Sequence, residues 1–461
     1  MMKQSSESTW SPESWKGRLA AHQVVYEDRA AVEGAVKRLA VLPPLVSSFE
    51  IEKLKSHLAE AQEGKRFVLQ GGDCAESIAD CRDEVITAKL KILLQMSLVL
   101  VHGLKKPVVR IGRFAGQYSK PRSSRTETRA VDGREVTLPS YFGDLVNSPE
   151  FTPEARRPDP ANMIRGYQHA AATLNFIRAL IDGGFADLHH PEYWDLRFLQ
   201  HAGMPVELRA EYSRLADELA HALKFMEILG ETAIDELTRV EFFTSHEGLN
   251  LLYETAHTRR VPRRHGWYNL TTHLPWIGER TRAIDGAHVE FFRGIANPVG
   301  VKIGPAATAD EVLRLIEVLN PADEPGKLVL IHRMGAREIG KGLAPILNAV
   351  ASSKKRVLWL CDPMHGNTTA LPPSLAHPAG LKTRRFEHVV AELESAFEIH
   401  ARAGTVLAGV HVELTGEDVT ECLGGAAGIT EADLATNYAS VCDPRLNYSQ
   451  AMELAFRIAG R

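Results

Sequence analysis

The chain has 461 residues, of which 44% are hydrophobic, and it carries a formal net charge of −4. This length suffices for one large domain or several smaller ones, and the composition is that of a globular protein. The weak negative charge excludes general electrostatic binding of nucleic acid, so any anion site must be a local cluster of cations.

Cysteine usage and the N-terminus indicate the compartment. Five cysteines, at positions 74, 81, 361, 422 and 442, are scattered without a CxxC pair. This pattern argues against a disulfide framework and for a reducing cytosol. The first ten residues, MMKQSSESTW, lack the apolar region of a signal peptide, and we judge no apolar run long enough to cross a bilayer. The sequence therefore predicts a soluble cytoplasmic protein without a membrane segment.

Residues 1–62 are predicted to form an N-terminal extension. They are polar up to about residue 45, where Pro43 and Pro44 interrupt the chain. Trp10 and Trp15 predict that this extension docks on its own body or on a neighbouring subunit. Phe49–Gln62 carries an apolar stripe that predicts a helix.

Eight short apolar runs, most of them separated by helical patterns, are predicted as strands. They begin near Phe67, Pro107, Val240, His273, Gly300, Leu328, Val357 and Gly409. The residues at or just after their C-terminal ends are Cys74, Arg113, Ser245–Glu247, Glu279 with Arg280, Lys302, Arg333, His365 and Glu413. Chemically capable side chains at the C-terminal ends of strands are typical of a (β/α)₈ TIM barrel. The sequence therefore predicts one catalytic barrel over residues 63–461.

Two segments do not fit the strand and helix alternation. Residues 125–160 are rich in Pro, Ser and Thr and are predicted as loops. Residues 161–235 are predicted as a helical insertion, because they are too long for one crossover between strands. The stripe over Leu215–Met226 is explained by packing or by a regulatory or subunit-contact role, and the pattern leaves both open.

A mixed set of sulfur, nitrogen and oxygen donors is the first candidate site. His365 closely follows the buried strand Val357–Leu360 and is the best single candidate for a metal ligand or an acid/base. Cys74 is either a core thiol or a thiolate ligand. With Glu413 and Asp443 these side chains suit a borderline divalent ion such as Mn, Co, Fe or Zn. An open coordination position would let that ion polarise a carbonyl group.

A set of cations is the second candidate site. Its members are Arg113, Arg280, Lys302 and Arg333, with Lys120 near Arg113 in sequence. Arg offers a planar fork and Lys a point charge to phosphate or carboxylate. This many cations predict a substrate with several negative charges. Chemistry alone leaves aldol-type condensation, isomerisation and phosphate-ester hydrolysis open.

Nine sequence runs resemble the type II (plant-like) 3-deoxy-D-arabino-heptulosonate 7-phosphate (DAHP) synthases. They are QGGDCAE at 70–76, GRFAGQYSKPRS at 112–123, SHEGLNLLYE at 245–254, WIGERTR at 276–282, DGAH at 285–288, ANPVGVKIGP at 296–305, CDPMHGNT at 361–368, HVELTGEDVTECLGG at 411–425 and CDPRLN at 442–447. The resemblance covers the chain from about residue 66 to its end, in family order.

The resemblance implies the condensation of phosphoenolpyruvate with erythrose 4-phosphate and water, the first step of the shikimate pathway. The implied metal ligands are Cys74, His365, Glu413 and Asp443. The implied phosphoenolpyruvate ligands are Arg113, Glu279, Arg280, Lys302 and Arg333. The implied aldose phosphate ligands are Lys120, Ser123 and Arg280. Cys74, Lys302, Glu279 and His365 would be the catalytic residues. Glu279 either orients water or shuttles a proton, or it pairs with a neighbouring cation.

The resemblance also implies partners. They are a divalent metal such as Mn or Co, a homo-oligomer (dimer or tetramer), aromatic amino acid effectors and a chorismate mutase partner. Cys442 could form a disulfide with Cys74 in the absence of metal, but we expect two reduced thiols in the cytosol. A sensing homologue with weak catalysis and a synthase that uses arabinose 5-phosphate are the alternatives.

Overall fold

The computed structural model describes residues 10–122, 124–183, 241–372 and 381–461, together with scattered positions between 206 and 225. The strands are β1 (Phe67–Gly72), β2 (Val108–Arg113), β3 (Thr126–Val131), β4 (Arg134–Pro139), β5 (Phe242–Glu247), β6 (Thr258–Arg259), β7 (Tyr268–Asn269), β8 (Leu274–Ile277), β9 (Val299–Ile303), β10 (Leu328–His332), β11 (Leu358–Cys361), β12 (Thr369–Leu371), β13 (Leu381–Thr383) and β14 (Leu407–Glu413). The helices are α1 (Arg29–Val41), α2 (Ser48–Gln62), α3 (Asp83–Leu104), α4 (Pro153–Arg156), α5 (Ala161–Asp182), α6 (Leu251–Ala256), α7 (Ala287–Phe292), α8 (Ala309–Leu319), α9 (Ile339–Ser353), α10 (Phe386–Arg402) and α11 (Tyr448–Ala459).

Eight parallel strands close into a barrel in the order β1–β14–β11–β10–β9–β8–β5–β2. The predicted (β/α)₈ barrel is therefore confirmed. Gly72 at the end of β1 pairs with Arg113 on β2 and with Glu413 on β14. This register places the residues that follow β1 at the same level as the last residues of both neighbouring strands.

Helix α2 closes the opposite end of the barrel. It begins with a capping box, in which Ser47 Oγ accepts from the Glu50 N–H at 3.2 Å and Glu50 Oε2 accepts from the Ser47 N–H at 2.8 Å. Leu54, Leu58 and Ala61 on its buried face join the cluster of barrel side chains. The core therefore fills one end of the barrel, and the C-terminal ends of the strands are left for a site.

The N-terminal extension docks on its own chain, which is one of the two predicted outcomes. Trp10 Nε1 donates to the Glu290 carbonyl at 2.8 Å, and Trp15 Nε1 donates to Thr255 Oγ1 at 2.8 Å. The Trp15 side chain is buried. A buried indole with its N–H satisfied gains both apolar burial and a hydrogen bond.

The loop prediction for residues 125–160 was wrong in part. Strands β3 and β4 form an antiparallel hairpin whose turn has Asp132 and Gly133 in the left-handed region. An Asp-Gly pair is a strong turn signal for a two-residue hairpin. Both strands are largely exposed, so they lack the apolar alternation from which strands were predicted.

The prediction that no apolar run is long enough to cross a bilayer was wrong for helix α3. By length and composition alone, α3 passes that criterion within the described part of the chain. However, 67% of its most apolar window is buried inside the protein. The helix is apolar on most sides because it packs against the barrel wall, α5 and α11.

Only part of the predicted helical insertion can be compared with the structure. Helix α5 covers residues 161–182, so this first part of the segment is helical, and the insertion over 161–235 stays a prediction. The stripe over Leu215–Met226 lies outside the described residues apart from isolated positions.

Two helical glycines provide a test of the packing between α3 and α11. A Cβ at Gly103 would lie 2.3 Å from Ala459 Cβ and 2.6 Å from its carbonyl oxygen, whereas a Cβ at Gly34 in α1 meets nothing within 4 Å. We expect Gly103→Ala to destabilise the protein by about 1–3 kcal/mol through overpacking. Gly34→Ala should stabilise it by about 0.5–1 kcal/mol through helix propensity. Thermal unfolding of both variants checks this, and an increase in Tm for Gly103→Ala would contradict it.

Candidate functional site

A cavity of about 650 Å³ opens at the C-terminal ends of the barrel strands. The predicted site residues that line it are Cys74, Arg113, Lys120, Glu279, Arg280, Lys302, Arg333, His365 and Asp443. Glu413 is fully buried and contacts this set through His365, whose Nε2 lies 2.9 Å from Glu413 Oε1. Ser123 lies outside the described residues.

The four predicted metal ligands converge through Asp443. Donor atoms of His365, Glu413 and Asp443 lie within 4.8 Å of one another, and so do those of Cys74, Cys442 and Asp443. The Asp443 backbone N–H also donates to Cys74 Sγ at 3.3 Å. The structure thus brings together a thiol, an imidazole and two carboxylates that are up to 369 positions apart in sequence.

Lysine side chains compensate the charge of Asp443. The Lys120 ammonium contacts Cys74 Sγ and lies 2.8 Å from Asp443 Oδ2, while Lys382 lies 2.8 Å from Oδ1. Burial alone would lower the pKa of Lys120, but Asp443 and the thiols outweigh it and hold that pKa well above the usual value. Lys120 therefore stays charged at the cavity wall.

Cys442 is an additional thiol next to the predicted set. None of the five cysteines, all of which are described, forms a disulfide in the structure. Burial raises the pKa of Cys74 well above its usual value, and the hydrogen bond with Cys74 lowers the pKa of Cys442. A proton shared between two adjacent sulfur atoms accounts for these opposite directions.

Glu413 is a buried carboxylate whose charge is compensated by two guanidinium groups. Arg113 Nη2 lies 3.0 Å from its Oε1, and Arg384 Nη2 lies 2.7 Å from its Oε2. Burial alone would raise the pKa of Glu413, but His365, Arg384 and Arg113 hold it well below the usual value. Glu413 is therefore an ionised carboxylate without solvent exposure.

Asp362 orients the imidazole of His365. Its Oδ2 lies 2.7 Å from His365 Nδ1, and its Oδ1 accepts from the backbone N–H groups of Met364 and His365. This leaves His365 Nε2 turned toward Glu413. A carboxylate behind a histidine is the usual arrangement that fixes the tautomer and direction of a metal ligand.

The predicted cations occupy other parts of the cavity wall. The Arg113 guanidinium lies 5.2 Å from the centroid of the Trp276 ring, and Lys302 contacts Asp362. Burial lowers the pKa of Lys302 to about 8, an effect that Asp362 opposes and Arg113 reinforces. Arg333 Nη2 donates to the His365 carbonyl at 2.7 Å, and Arg280 Nη1 donates to the Pro121 carbonyl at 3.2 Å.

A buried carboxylate behind the cavity holds two of its loops. Glu392 on α10 accepts from the backbone N–H groups of Met334 and Gly335, each at 2.8 Å, and from Asn367 Nδ2 at 2.7 Å. These contacts join the loop that carries Arg333 to the loop that carries His365.

Sequence reasoning gave no role to several residues of the site. Glu247 and Lys382 line the cavity, whereas Arg384 and His411 contact Glu413 and Arg113 from buried positions. Strand alternation could have identified His411, which lies two residues before Glu413 on β14. Arg384 precedes α10 rather than ending a barrel strand, so no strand-end signal identified it.

The sequence is similar to known proteins over nearly the whole chain. A sequence model of the class-II DAHP synthetase family matches residues 10–459. A Neurospora crassa protein named phospho-2-dehydro-3-deoxyheptonate aldolase is 47% identical over 466 residues, covering 98% of this chain and 94% of the relative. A Streptomyces coelicolor protein of the same name is 47% identical over 446 residues, covering 97% and 96% respectively.

A third relative extends the similarity to another organism. Phospho-2-dehydro-3-deoxyheptonate aldolase AroG of Mycolicibacterium smegmatis is 44% identical over 428 residues, covering 91% of this chain and 88% of the relative. Matches of this length and identity include the barrel, the cavity and the N-terminal extension from Trp10 onward. The chain belongs to the class-II DAHP synthetase family.

Proposed function

We propose that the protein condenses phosphoenolpyruvate with D-erythrose 4-phosphate and water to give DAHP and inorganic phosphate, the first step of the shikimate pathway. One observation carries this proposal: a single cavity is lined by a thiol, imidazole and carboxylate set and by Arg113, Arg280, Lys302 and Arg333. Donors for a divalent ion and cations for a polyanion thus face the same space.

The size and charge of the cavity suit these substrates. Its volume of about 650 Å³ lies within the range of small-molecule sites. Phosphoenolpyruvate carries a carboxylate and a phosphate, for which Arg113, Lys302 and Arg333 supply charge-assisted donors. Lys120, Arg280 and Ser123 are proposed for the phosphate of the aldose. Holding two anions together against their repulsion is the first task of such a site.

The donor set fits a divalent metal ion. Cys74 Sγ, His365 Nε2 and the carboxylates of Glu413 and Asp443 would hold it, and this mixture of donors suits Mn, Co, Fe or Zn. The carboxylates are already ionised, and Asp362 sets the direction of His365. When bound, the ion would supply Lewis acidity to the aldehyde oxygen.

The bond changes follow from the substrates. C3 of phosphoenolpyruvate forms a C–C bond with the aldehyde carbon, water adds at C2, and phosphate leaves by cleavage of the C2–O bond. The water oxygen becomes the C2 carbonyl oxygen of the product, one of its protons converts the aldehyde oxygen into a hydroxyl, and the other leaves with the phosphate. Arg113, Lys302 and Arg333 hold phosphoenolpyruvate, and their positive charges stabilise the departing phosphate. Arg280 and Lys120 hold the aldose phosphate and so fix the approach of the two carbons.

Two acidic residues are proposed to handle water and protons. Glu279 Oε1 lies 3.1 Å from Arg282 Nη2, so the pairing role that the sequence left open is satisfied by a neighbouring cation. Glu247 also lines the cavity, and burial raises the pKa of its carboxyl. A carboxyl whose pKa is raised holds its proton to a higher pH than a free glutamate does, which suits a group that gives and takes a proton. We therefore assign the proton transfer to Glu247. The Oε2 atom of Glu279 is buried without a hydrogen-bond partner among the described residues, so we assign the orientation of water to that oxygen while Oε1 pairs with Arg282.

Assembly, regulation and location are further parts of the proposal. Several large apolar side chains of the N-terminal extension are exposed, including Leu19, Val41 and Phe49, which supports a homo-oligomer (dimer or tetramer). Family membership supports aromatic amino acid effectors, a chorismate mutase partner and a cytoplasmic location. A sensing homologue with weak catalysis is the second candidate, but the intact ligand and cation sets favour the synthase.

The choice of aldose is tested by phosphate release. Purified protein with Mn²⁺ or Co²⁺ and phosphoenolpyruvate should release phosphate with erythrose 4-phosphate and far more slowly with arabinose 5-phosphate. Chelation of the metal should abolish release. A preference for arabinose 5-phosphate would overturn the substrate assignment, and release with neither aldose would favour the sensing homologue.

Cys74→Ser tests the thiolate. We expect the metal-dependent activity of this variant to fall by at least about 100-fold. Altering a residue behind a metal ligand commonly costs about 10–100-fold, and this substitution removes a proposed ligand itself. Cys81→Ser is the matched control, since Cys81 Sγ contacts the His169 carbonyl at 3.8 Å and does not line the cavity. Circular dichroism should show both variants folded. Parent-level activity of folded Cys74→Ser would remove the thiolate from the ligand set.

The pKa of Lys302 predicts a pH dependence. Because burial lowers that pKa to about 8, the free enzyme loses the ammonium charge as the pH rises through this value. The kcat/KM for phosphoenolpyruvate should therefore fall toward tenfold per pH unit above 8. A bound anion stabilises the ammonium form, so kcat at saturating substrate should decline only at higher pH. A kcat/KM that stays level to a pH well above 9 would contradict the role of Lys302.

A further inference from the structure

A buried ion network lies directly behind the proposed metal ligands. Arg445 Nη1 donates to Asp73 Oδ1 at 2.8 Å, and Arg445 Nη2 donates to Glu421 Oε1 at 2.8 Å. Lys89 Nζ lies 2.5 Å from Asp73 Oδ2. Asp73 and Glu421 have no solvent exposure, and Arg445 and Lys89 are also buried. The buried members of this network are therefore two carboxylates and two cations, and the partly exposed Asp80 lies 3.9 Å from Lys89.

The sequence positions of this network connect it to the site. Asp73 immediately precedes Cys74, and Arg445 follows Asp443 by two residues. The Asp73–Arg445 contact thus joins the segment that ends β1 to the segment after β14, across 372 positions of sequence. It acts on the backbone from which two of the four proposed ligands project.

Other contacts between the ligand segments are of two kinds. At the site itself, Lys120 contacts both Cys74 Sγ and Asp443 Oδ2, and the Asp443 N–H donates to Cys74 Sγ. The rest are backbone hydrogen bonds. The Leu414 N–H donates to the Gly72 carbonyl at 2.9 Å, and the Leu446 N–H donates to the Glu413 carbonyl at 2.9 Å. Between residues 73–76 and 442–447, all of which are described, no backbone hydrogen bond is formed. Side-chain contacts therefore connect these two segments. Among them, the Asp73–Arg445 contact is a buried ion pair.

Arg445 is itself rigidly held. Its Nε and Nη2 donate to the two oxygens of Glu421, at 3.1 and 2.8 Å, and its backbone N–H donates to Glu421 Oε2 at 2.7 Å. A bidentate pair fixes the plane of the guanidinium, which leaves Nη1 aimed at Asp73. Lysine at this position would keep the charge but lose the fork.

We propose that the Asp73–Arg445 ion pair is a positioning device, which sets the separation between Cys74 Sγ and the Asp443 carboxylate and thereby the affinity for the divalent ion. This inference rests on the proposed metal site. Partners behind metal ligands commonly change metal affinity by about 10–100-fold when they are altered. Neither Asp73 nor Arg445 is assigned to touch substrate or metal.

The test compares Asp73→Asn and Arg445→Lys with the parent protein, using Co²⁺ alone as the probe. The dissociation constant comes from titration calorimetry, and the thiolate-to-cobalt charge-transfer absorption reports whether sulfur is bound. We expect about 10–100-fold weaker binding for Asp73→Asn. Arg445→Lys should fall between Asp73→Asn and the parent, with a weakened charge-transfer band in both variants.

Lys55→Met is the matched control for the loss of a buried charge. Lys55 is also buried and lies 2.8 Å from Glu324, but this pair is at the opposite end of the barrel. The Lys55→Met substitution should lower the Tm of the protein without changing its affinity for Co²⁺. If Asp73→Asn does not fold, Arg445→Lys, which keeps the charge, decides the outcome.

The outcomes separate the two proposals. Parent-level affinity and absorption in a folded Asp73→Asn or Arg445→Lys variant would overturn the positioning role while leaving the metal site intact. A parent protein that binds Co²⁺ without a thiolate band would instead overturn the metal site, and the positioning role with it.

Discussion

The buried carboxylate of Glu413 is the constraint on which the rest of the site depends. It has no solvent exposure and lies within 3.0 Å of Arg113, Arg384 and His365 atoms. A buried charge is tolerated only when paired and hydrogen-bonded. Each of its partners is therefore held in place by the same requirement, and those partners come from different strands and loops. Charge compensation at Glu413 thus links strand β2, the loop after β11 and the segment before α10 at the C-terminal end of the barrel.

The same principle extends outward from Glu413 through shared partners. Asp362 accepts from Lys302 and from His365, so one carboxylate serves a proposed substrate cation and a proposed metal ligand. Glu392 and the Asp73–Arg445 pair hold the loops from behind. The proposed chemistry needs metal donors and substrate cations a few ångströms apart. Ion pairs such as those of Asp362 connect the proposed metal donors to the proposed substrate cations. They hold the two groups of side chains close together before substrate binds.

The sequence predicted the barrel, and most of its candidate site residues line the cavity, because that information is local. Each barrel strand is a short apolar run, and the candidate residue lies at its C-terminal end, as with Glu413, or a few positions after it, as with His365. Interior positions also alternate along a strand, which relates His411 to Glu413. The closed barrel then converts eight separate strand ends into one cavity.

The remaining parts could not be predicted because their signals are tertiary. Arg384 precedes a helix, and only the fold reveals that it reaches Glu413. The role of Glu392 depends on which loops pack over α10, while the hairpin β3–β4 is exposed and lacks an apolar pattern. Helix α3 has the composition of a membrane helix because the barrel and its neighbouring helices surround it.

The most direct test of the account is X-ray absorption at the zinc edge of Zn²⁺-loaded protein. We predict a sulfur shell at about 2.3 Å together with nitrogen and oxygen neighbours at about 2.0–2.2 Å. The sulfur shell should disappear in Cys74→Ser while the nitrogen and oxygen shell persists. A parent spectrum with nitrogen and oxygen neighbours alone, or a sulfur shell unchanged in Cys74→Ser, would contradict the convergence of Cys74, His365, Glu413 and Asp443 on one ion.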